Sequence, residues 1–364
     1  MAWTISLEDT LPLAIGAGIL GTGGGGNTYI GRIWLEKELR ERGEGCRIIE
    51  ADDVPDDALV CAVAGMGAPT VGIERIRQGD ELANTVRVLE RHLGQRMAAL
   101  VIGEIGGSNA LRPLICGLQM GLPVVDGDPM GRAFPELQMD TFSINGVPGF
   151  PMALGDTHGN VVIFDPVDSP RRAEQYARAL TIEMGGTAAL VMPVMRGAVM
   201  KRHIIRGTYT LAHRIGRAVL EARRTHDDPA EAVAALAGGR VLFRGKIVDV
   251  ERRTVQGFAR GTMQLVGFGA PDDTMTIVFQ NENLIDWHNG AVVCTVPDLI
   301  CVLSLEDGTP VQTEMVRYGL RVAVLGLPAP EPLTTPRALE VVGPAAFGYA
   351  DVPFRPLPRP AHGI

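Results

Sequence analysis

The sequence predicts an α/β protein, with an N-terminal, mostly parallel sheet flanked by helices and a C-terminal α+β domain rich in antiparallel strands. Three observations predict it. Short apolar runs at 46–50, 59–64, 98–102 and 122–125 alternate with segments of helical period, the pattern of βα units that build a parallel sheet. From Arg240 onward the runs are strand-like and follow one another across turns, without helices between them. Between these regimes lies Asp165-Pro166-Val167-Asp168-Ser169-Pro170, rich in proline and acid. The boundaries expected are 1–166 for the first domain, 167–350 for the second and 351–364 for an extended, proline-rich tail. A chain of 364 residues is long enough for two domains.

Composition narrows the class of function. Lys and Arg total 34 and Asp and Glu 42, giving a net charge of −8. No basic run stands out, so nucleic acid and anionic membranes are not expected partners. The 46% hydrophobic fraction and 45 glycines fit a folded protein with many tight loops rather than disorder. The five cysteines form no CxxC, which points to a reducing cytoplasm. No signal peptide and no apolar run of transmembrane length are evident.

In chain order, 10–21 reads as a helix, with Thr10 as cap and Pro12 in the first turn. It runs into Gly21-Thr22-Gly23-Gly24-Gly25-Gly26-Asn27, five glycines in six residues and then Asn27. A helix end needs one glycine. Such a loop can bring several backbone N–H groups to an anionic or carbonyl ligand, although it also reads as a plain connector. Gly16-x-Gly18-x-x-Gly21 matches the dinucleotide fingerprint literally. The segment before it reads as helix instead of strand, and Glu36 and Glu38 lie in a charged helical stretch, so the required context is missing. There is no GxxxxGK[ST].

Strands at 46–50 and 59–64 follow, the second ending in a small-residue loop at 65–70 suited to close ligand approach. Leu82, Val86, Leu89 and Leu93 recur at helical spacing. The strand at 98–102 ends in Gly103-Glu104-Ile105-Gly106-Gly107-Ser108-Asn109, where Ser108 or Asn109 can cap a helix with Leu111, Leu114, Ile115 and Leu118 inward. Cys116 falls inside that helix and reads as core.

The strand at 122–125 opens onto Asp126-Gly127-Asp128, with Arg132 and Glu136 close behind. In an open α/β sheet, ligands bind beyond the carboxyl ends of the strands. Asp126, Asp128 and Glu104 follow strand ends, and a parallel sheet puts them on one rim with the glycine loop. They are the candidates for acid–base work, although Asp-Gly is also a common turn. Arg132, Glu136, Asn109, Asn27 and Gly23, Gly24, Gly25 and Gly26 are the candidates for holding a substrate. Asp126, Asp128 and His158, the last in a turn between two strands, are the candidates for a divalent metal. In the second half, Lys201 and His203 suit either an anionic group or a solvated loop, and Gln280-Asn281-Glu282-Asn283 is a rim element or a turn. GxSxG, HExxH and closely spaced His/Cys sets are missing.

The motifs LGTGGGGN (20–27), GEIGGSN (103–109), VDGDPMGRAFPELQM (125–139), the GT at 207–208, FRGKIVDVERRTVQGFARG (243–261), TVPDLI (295–300) and RYGLRVAVLGLPAP (317–330) together resemble the S-methyl thiohydantoin desulfurase family, over nearly the whole chain. That resemblance implies a two-domain hydrolase acting on a five-membered cyclic amide, with water replacing a methylthio group to give a hydantoin. It further implies a setting in cyclic amide catabolism beside hydantoinase or oxoprolinase-type proteins, and a homo-oligomer is expected. On this reading Asp126 or Asp128 activates the water, the Gly23–Gly26 amides hold developing charge, Arg132 grips a ring carbonyl or carboxylate and Glu104 accepts a ring N–H. An accessory subunit of a hydantoinase or oxoprolinase-type system, and a nucleotide-dependent enzyme, remain as alternatives.

Overall fold

The computed structural model describes residues 3–68, 71, 74, 78–255 and 258–358. Its first sheet has eight strands in the order β1-β2-β5-β4-β3-β9-β7-β8. These are β1 (Trp3–Ile5), β2 (Cys46–Ile49), β3 (Leu59–Gly67), β4 (Ala99–Ile102), β5 (Val124–Val125), β7 (Met152–Gly155), β8 (Val161–Phe164) and β9 (Thr187–Arg196). The two remaining strands before the second sheet, β6 (Gly127–Asp128) and β10 (Ile205–Arg206), pair with each other. The sheet is α/β with a parallel centre: β2, β5, β4 and β3 run together. On its flanks β1, β9, β7 and β8 pair antiparallel, so the sheet as a whole is mixed.

The continuous apolar runs of β3 and β4 are explained by burial on both faces. Cys61, Val63, Leu100 and Ile102 pack under helices Thr10–Leu20, Thr28–Arg42, Glu81–Leu93 and Arg112–Met120. The alternate residues Val60, Ala62, Ala99 and Val101 pack on Phe142, Met195 and Met200, as the two-residue period of a strand demands. Gly65 to Gly67, expected in a loop, continue β3, because β9 runs alongside and pairs Gly67 with Thr187. Pro69 and Thr70 lie outside the described residues.

The fingerprint glycines Gly16 and Gly18 sit inside helix Thr10–Leu20. A Cβ on Gly16 would come within 1.7 Å of the Ala212 carbonyl oxygen, and one on Gly216 within 1.7 Å of that of Pro12. These glycines let helices Thr10–Leu20 and Thr208–Thr225 cross at backbone contact, a packing role. Ser108 and Asn109 lie in a short 3-10 turn, Gly107–Ala110, instead of capping the next helix. Gly207, with φ 73°, occupies the cap position of helix Thr208–Thr225.

The second sheet is antiparallel, in the order β15-β14-β13-β12-β11-β17-β16, and curls as a half-barrel. Its strands are β11 (Arg240–Val255), β12 (Phe258–Gly267), β13 (Ala270–Gln280), β14 (Glu282–His288), β15 (Ala291–Thr295), β16 (Leu299–Ser304) and β17 (Arg321–Leu327). Strand β14 has no continuous apolar run, because Asn283, Asp286 and His288 interrupt it. Strands β16 and β17 join the two layers. Leu299, Cys301, Leu303, Ala323 and Leu325 enter the main helical core, while Ile300, Val302, Val322 and Val324 face the half-barrel.

Candidate functional site

Beyond the carboxyl ends of β3 and β4 lies a cleft of about 440 Å³, lined by the glycine loop, the Gly103–Asn109 segment, residues 134–137, strand β9 and the β13–β14 turn. The glycine loop is one wall, and what shapes it is contact with other backbones. Gly25 adopts φ 72°, and a Cβ there would meet the Gly106 carbonyl oxygen at 2.2 Å. Its carbonyls are fastened from outside: Ser108 N donates to Gly25 O at 2.9 Å, Thr313 N to Gly23 O at 2.9 Å and Asn283 N to Thr22 O at 2.8 Å. Asn27 caps helix Thr28–Arg42 through Tyr29 N.

Glu104 stands in this cleft, 8% exposed. Asn109 donates to its Oε1 while holding the β3 backbone at Gly65 with both ends of its amide. Phe134 N donates to its Oε2 at 3.3 Å. Burial pushes its pKa up to about 7, and the neighbouring Asp128 charge adds to the rise, against these hydrogen bonds and the Arg112 charge.

Opposite the glycine loop is Glu282, the first residue of β14 and 3% exposed. It packs on Gly24, where a Cβ would fall 1.8 Å from its Oε1. Its Oε2 has no hydrogen-bond partner among the described residues. Burial and then the Glu104 charge hold its pKa well above the carboxylate range, opposed by Arg132 and the Gly25 N–H. Burial therefore raises the proton affinity of both Glu104 and Glu282 within one cleft. In the sequence Glu282 showed only as part of a polar tetrad at a strand end. Arg112, the first residue of its helix and a cleft-lining cation, carried no signal at all.

The other expected residues fall into two groups. Glu136 lines the cleft, hydrogen-bonded to Gln138, and Gly25, Gly26, Asn27 and Asn109 line it too. Asp126, Asp128, Arg132, Gly23, Gly24 and His158 are not among its lining residues. Asp126 accepts from Tyr209 N at 2.8 Å, Thr210 N at 3.2 Å and the Thr210 hydroxyl, and so caps helix Thr208–Thr225. Asp128, wholly buried, accepts from Ile105 N, Met130 N and Gly131 N. It fixes the turn that carries Arg132, and burial raises its pKa to about 7.

Arg132 is also fully buried and every N–H of its guanidinium is engaged. Nε donates to Ala133 O, Nη1 to Pro297 O and Asp298 O, and Nη2 to the Thr22 hydroxyl at 2.7 Å and Asn283 O. It ties the glycine loop to the half-barrel, and burial lowers its pKa to about 10. His158 is exposed in the β7–β8 turn. Lys201 pairs with Asp56 at 2.7 Å, on a different surface.

For a divalent metal the donor set does not gather. Asp126 and Asp128 face different partners, His158 is remote from both, and among the described residues no three His, Cys, Asp or Glu side chains cluster as ligands. All five cysteines are buried free thiols. Among the described residues no helix is long and apolar enough to cross a membrane.

Two family models match the chain. Residues 8–166 match the S-Me-THD-like N-terminal domain and residues 168–357 the S-Me-THD-like C-terminal domain. The fold is similar to an X-ray crystal structure of a protein from Chromobacterium violaceum. The two share 25% identity with a TM-score of 0.80, over 98% of this chain and 100% of that one. The comparison with curated proteins found no match.

Proposed function

The chain belongs to the S-Me-THD-like family, and from that premise we propose that it hydrolyses a five-membered cyclic amide of the S-methyl thiohydantoin type. Water replaces the methylthio group at C2, giving a hydantoin and methanethiol. The observation that carries this reading is the Glu104–Glu282 pair: two buried carboxyl groups in one cleft, Glu104 raised to about 7 and Glu282 raised well above the ordinary carboxylate range. Two carboxyl groups whose surroundings favour the protonated form can divide the roles of base and acid.

Ionised Glu104 takes a proton from water as the water oxygen bonds to C2. The displaced C2=N electron pair goes to the ring nitrogen, which receives the Glu282 proton. In the second half, the C2–S bond breaks and sulfur leaves with the proton held on Glu104. The C2 hydroxyl returns its proton to Glu282 as the carbonyl forms. Both carboxyls end as they began, and one water is consumed for each methanethiol released. Asn109 orients Glu104, and Glu282 lines the same cleft as the proton donor.

The test is methanethiol release from an S-methyl thiohydantoin, followed with a thiol reagent. The wild type is expected to turn over. Glu104→Gln and Glu282→Gln are each expected to lose about 100-fold or more, the scale of general acid–base catalysis. A wild-type protein that releases no thiol, or a Glu282→Gln variant as active as the wild type, overturns the reading.

A further inference from the structure

Asn27 lines a second cavity as well as the cleft, and this one, of about 340 Å³, has no part in the reaction above. Its size falls in the range of small-molecule sites, about 300–1,000 Å³. Helices Thr10–Leu20 and Thr28–Arg42 contribute one side, and residues 309–320 the other. That second side is fixed by tertiary contacts. Pro310 lies against the first helix, where a Cβ on Gly18 would fall 2.6 Å from its Cγ. Val311 N donates to Val302 O at 2.8 Å and Thr313 N to Gly23 O at 2.9 Å. The cavity is thus built from packed elements, and its wall is tied to the glycine loop of the cleft.

The lining divides by chemistry. Leu11, Ile15, Val311 and Leu320 give it apolar surface, and Tyr29 and Met315, 60% and 43% exposed, leave more of it uncovered. Arg32, Arg223 and Arg317 share the lining with them, and no Asp or Glu stands among its described residues, in a chain whose net charge is −8. Two of these arginines are held by acids outside the cavity. Arg32 gives Nη1 to Glu36 at 2.8 Å and lies over the Tyr29 ring. Arg223 binds Asp307 and the Thr309 hydroxyl. Arg317 is exposed, and among the described residues no hydrogen bond or ion pair engages it. Its guanidinium keeps its donors for a ligand.

We propose that this cavity is a second binding site, which takes an amphipathic carboxylate on an apolar chain, and that Arg317 meets the charge. Both halves of the lining enter that choice. An inorganic anion leaves the apolar residues uncovered, and a neutral apolar molecule leaves three cations without a counter-charge. A carboxylate matches the planar fork of a guanidinium, and each methylene buried against the apolar side adds about 3-fold in affinity. The site is separate from the cyclic-amide reaction, and its assignment stands or falls without it.

The experiment titrates octanoate into the whole protein by calorimetry, beside hexanoate, octanamide and inorganic phosphate. The wild type is expected to bind octanoate about 10-fold more tightly than octanamide, the scale of a hydrogen bond to a charged group. It is expected to prefer octanoate to hexanoate, two methylenes shorter, by about 10-fold as well. Arg317→Gln is expected to bring the first ratio close to 1, and Arg317→Lys to restore part of it. Leu11→Gln is expected to shrink the second ratio and to keep the preference for the charged probe. Each readout is a ratio within one protein, so a variant of reduced stability still reports it. A preference for octanoate over octanamide that survives Arg317→Gln places the ligand elsewhere and overturns the assignment. Phosphate bound as tightly as octanoate overturns the amphipathic choice, and a wild type that binds no octanoate overturns the site.

Discussion

Replacing Glu104 by Gln separates catalysis from stability, and the two effects carry opposite signs above neutral pH. The carboxyl ionises near 4.5 in the unfolded chain and near 7 in the cleft. Below 4.5 it is protonated in both states and costs nothing. Between 4.5 and 7 the unfolded state ionises while the native group holds its proton, so native stability falls as pH rises; above 7 the loss is complete. At ~1.4 kcal/mol per pH unit the native state gives up roughly 3 kcal/mol over that window.

Gln cannot ionise, so the variant does not share this loss. Its amide does place a donor against either Asn109 Nδ2 or Phe134 N, a pH-independent cost of about 1–2 kcal/mol. The stability of Glu104→Gln minus that of the wild type should therefore rise by roughly 3 kcal/mol from pH 4.5 to pH 8. Relief of Asp128 and Glu282, both next to the lost charge, acts in the same direction. Urea denaturation at the two pH values measures the difference, and thiol release measures turnover. A difference that stays flat with pH would show that Glu104 is ionised in the native cleft well below 7 and would refute the electrostatic argument.

Three further outcomes follow from the same geometry. The kcat/KM of the wild type should rise with pH and level off above about 7, because Glu104 acts as base only when ionised; a profile already flat from pH 5 contradicts that role. Arg132→Met removes the donors of five contacts and should cost about 3–5 kcal/mol in urea denaturation, as for a buried charged group removed from its partners. Asp126→Asn should cost about 1 kcal/mol through the cap of helix Thr208–Thr225 while turnover per folded molecule persists. Loss of turnover in that variant would return Asp126 to the chemistry.

The legible part of the fold was its periodicity. Doubly buried strands announced themselves as apolar runs, and Leu82, Val86, Leu89 and Leu93 mark helix Glu81–Leu93. Glu104 was legible because it follows a strand, and strand ends converge in a parallel sheet. The same rule brought forward Asp126 and Asp128, and here proximity along the chain misleads about direction. Both side chains turn back into backbone N–H groups, which no spacing encodes. Glu282 was obscured because it is brought to the cleft by a sheet more than 150 residues further along the chain, and Arg112 because a lone arginine at a helix start resembles any surface residue. The glycine loop was legible as unusual, but its reason, contact with Gly106, Gly107 and Glu282, is tertiary.

The cleft also belongs to neither matched family segment alone. Those segments meet at residues 166 and 168, yet β9, from the second, lies between β3 and β7 of the first, pairing from Leu59 with Arg196 to Gly67 with Thr187. Strand β9 supplies Thr187, Leu190 and Met192 to the cleft, and Glu282 comes from the half-barrel. A fragment ending at residue 166 would leave the buried edges of β3 and β7 without hydrogen-bond partners, and each unpaired buried backbone group costs about 1–3 kcal/mol. The carboxyl pair would also be split, since Glu282 lies beyond residue 166. Catalytic assembly and folding are then one event, and the chain should unfold in a single transition that fluorescence and thiol release report at the same urea concentration. Two separate transitions, with activity lost in the first, would mean that β9 detaches before the half-barrel melts and that the cleft is held by a weaker seam than its ladder implies.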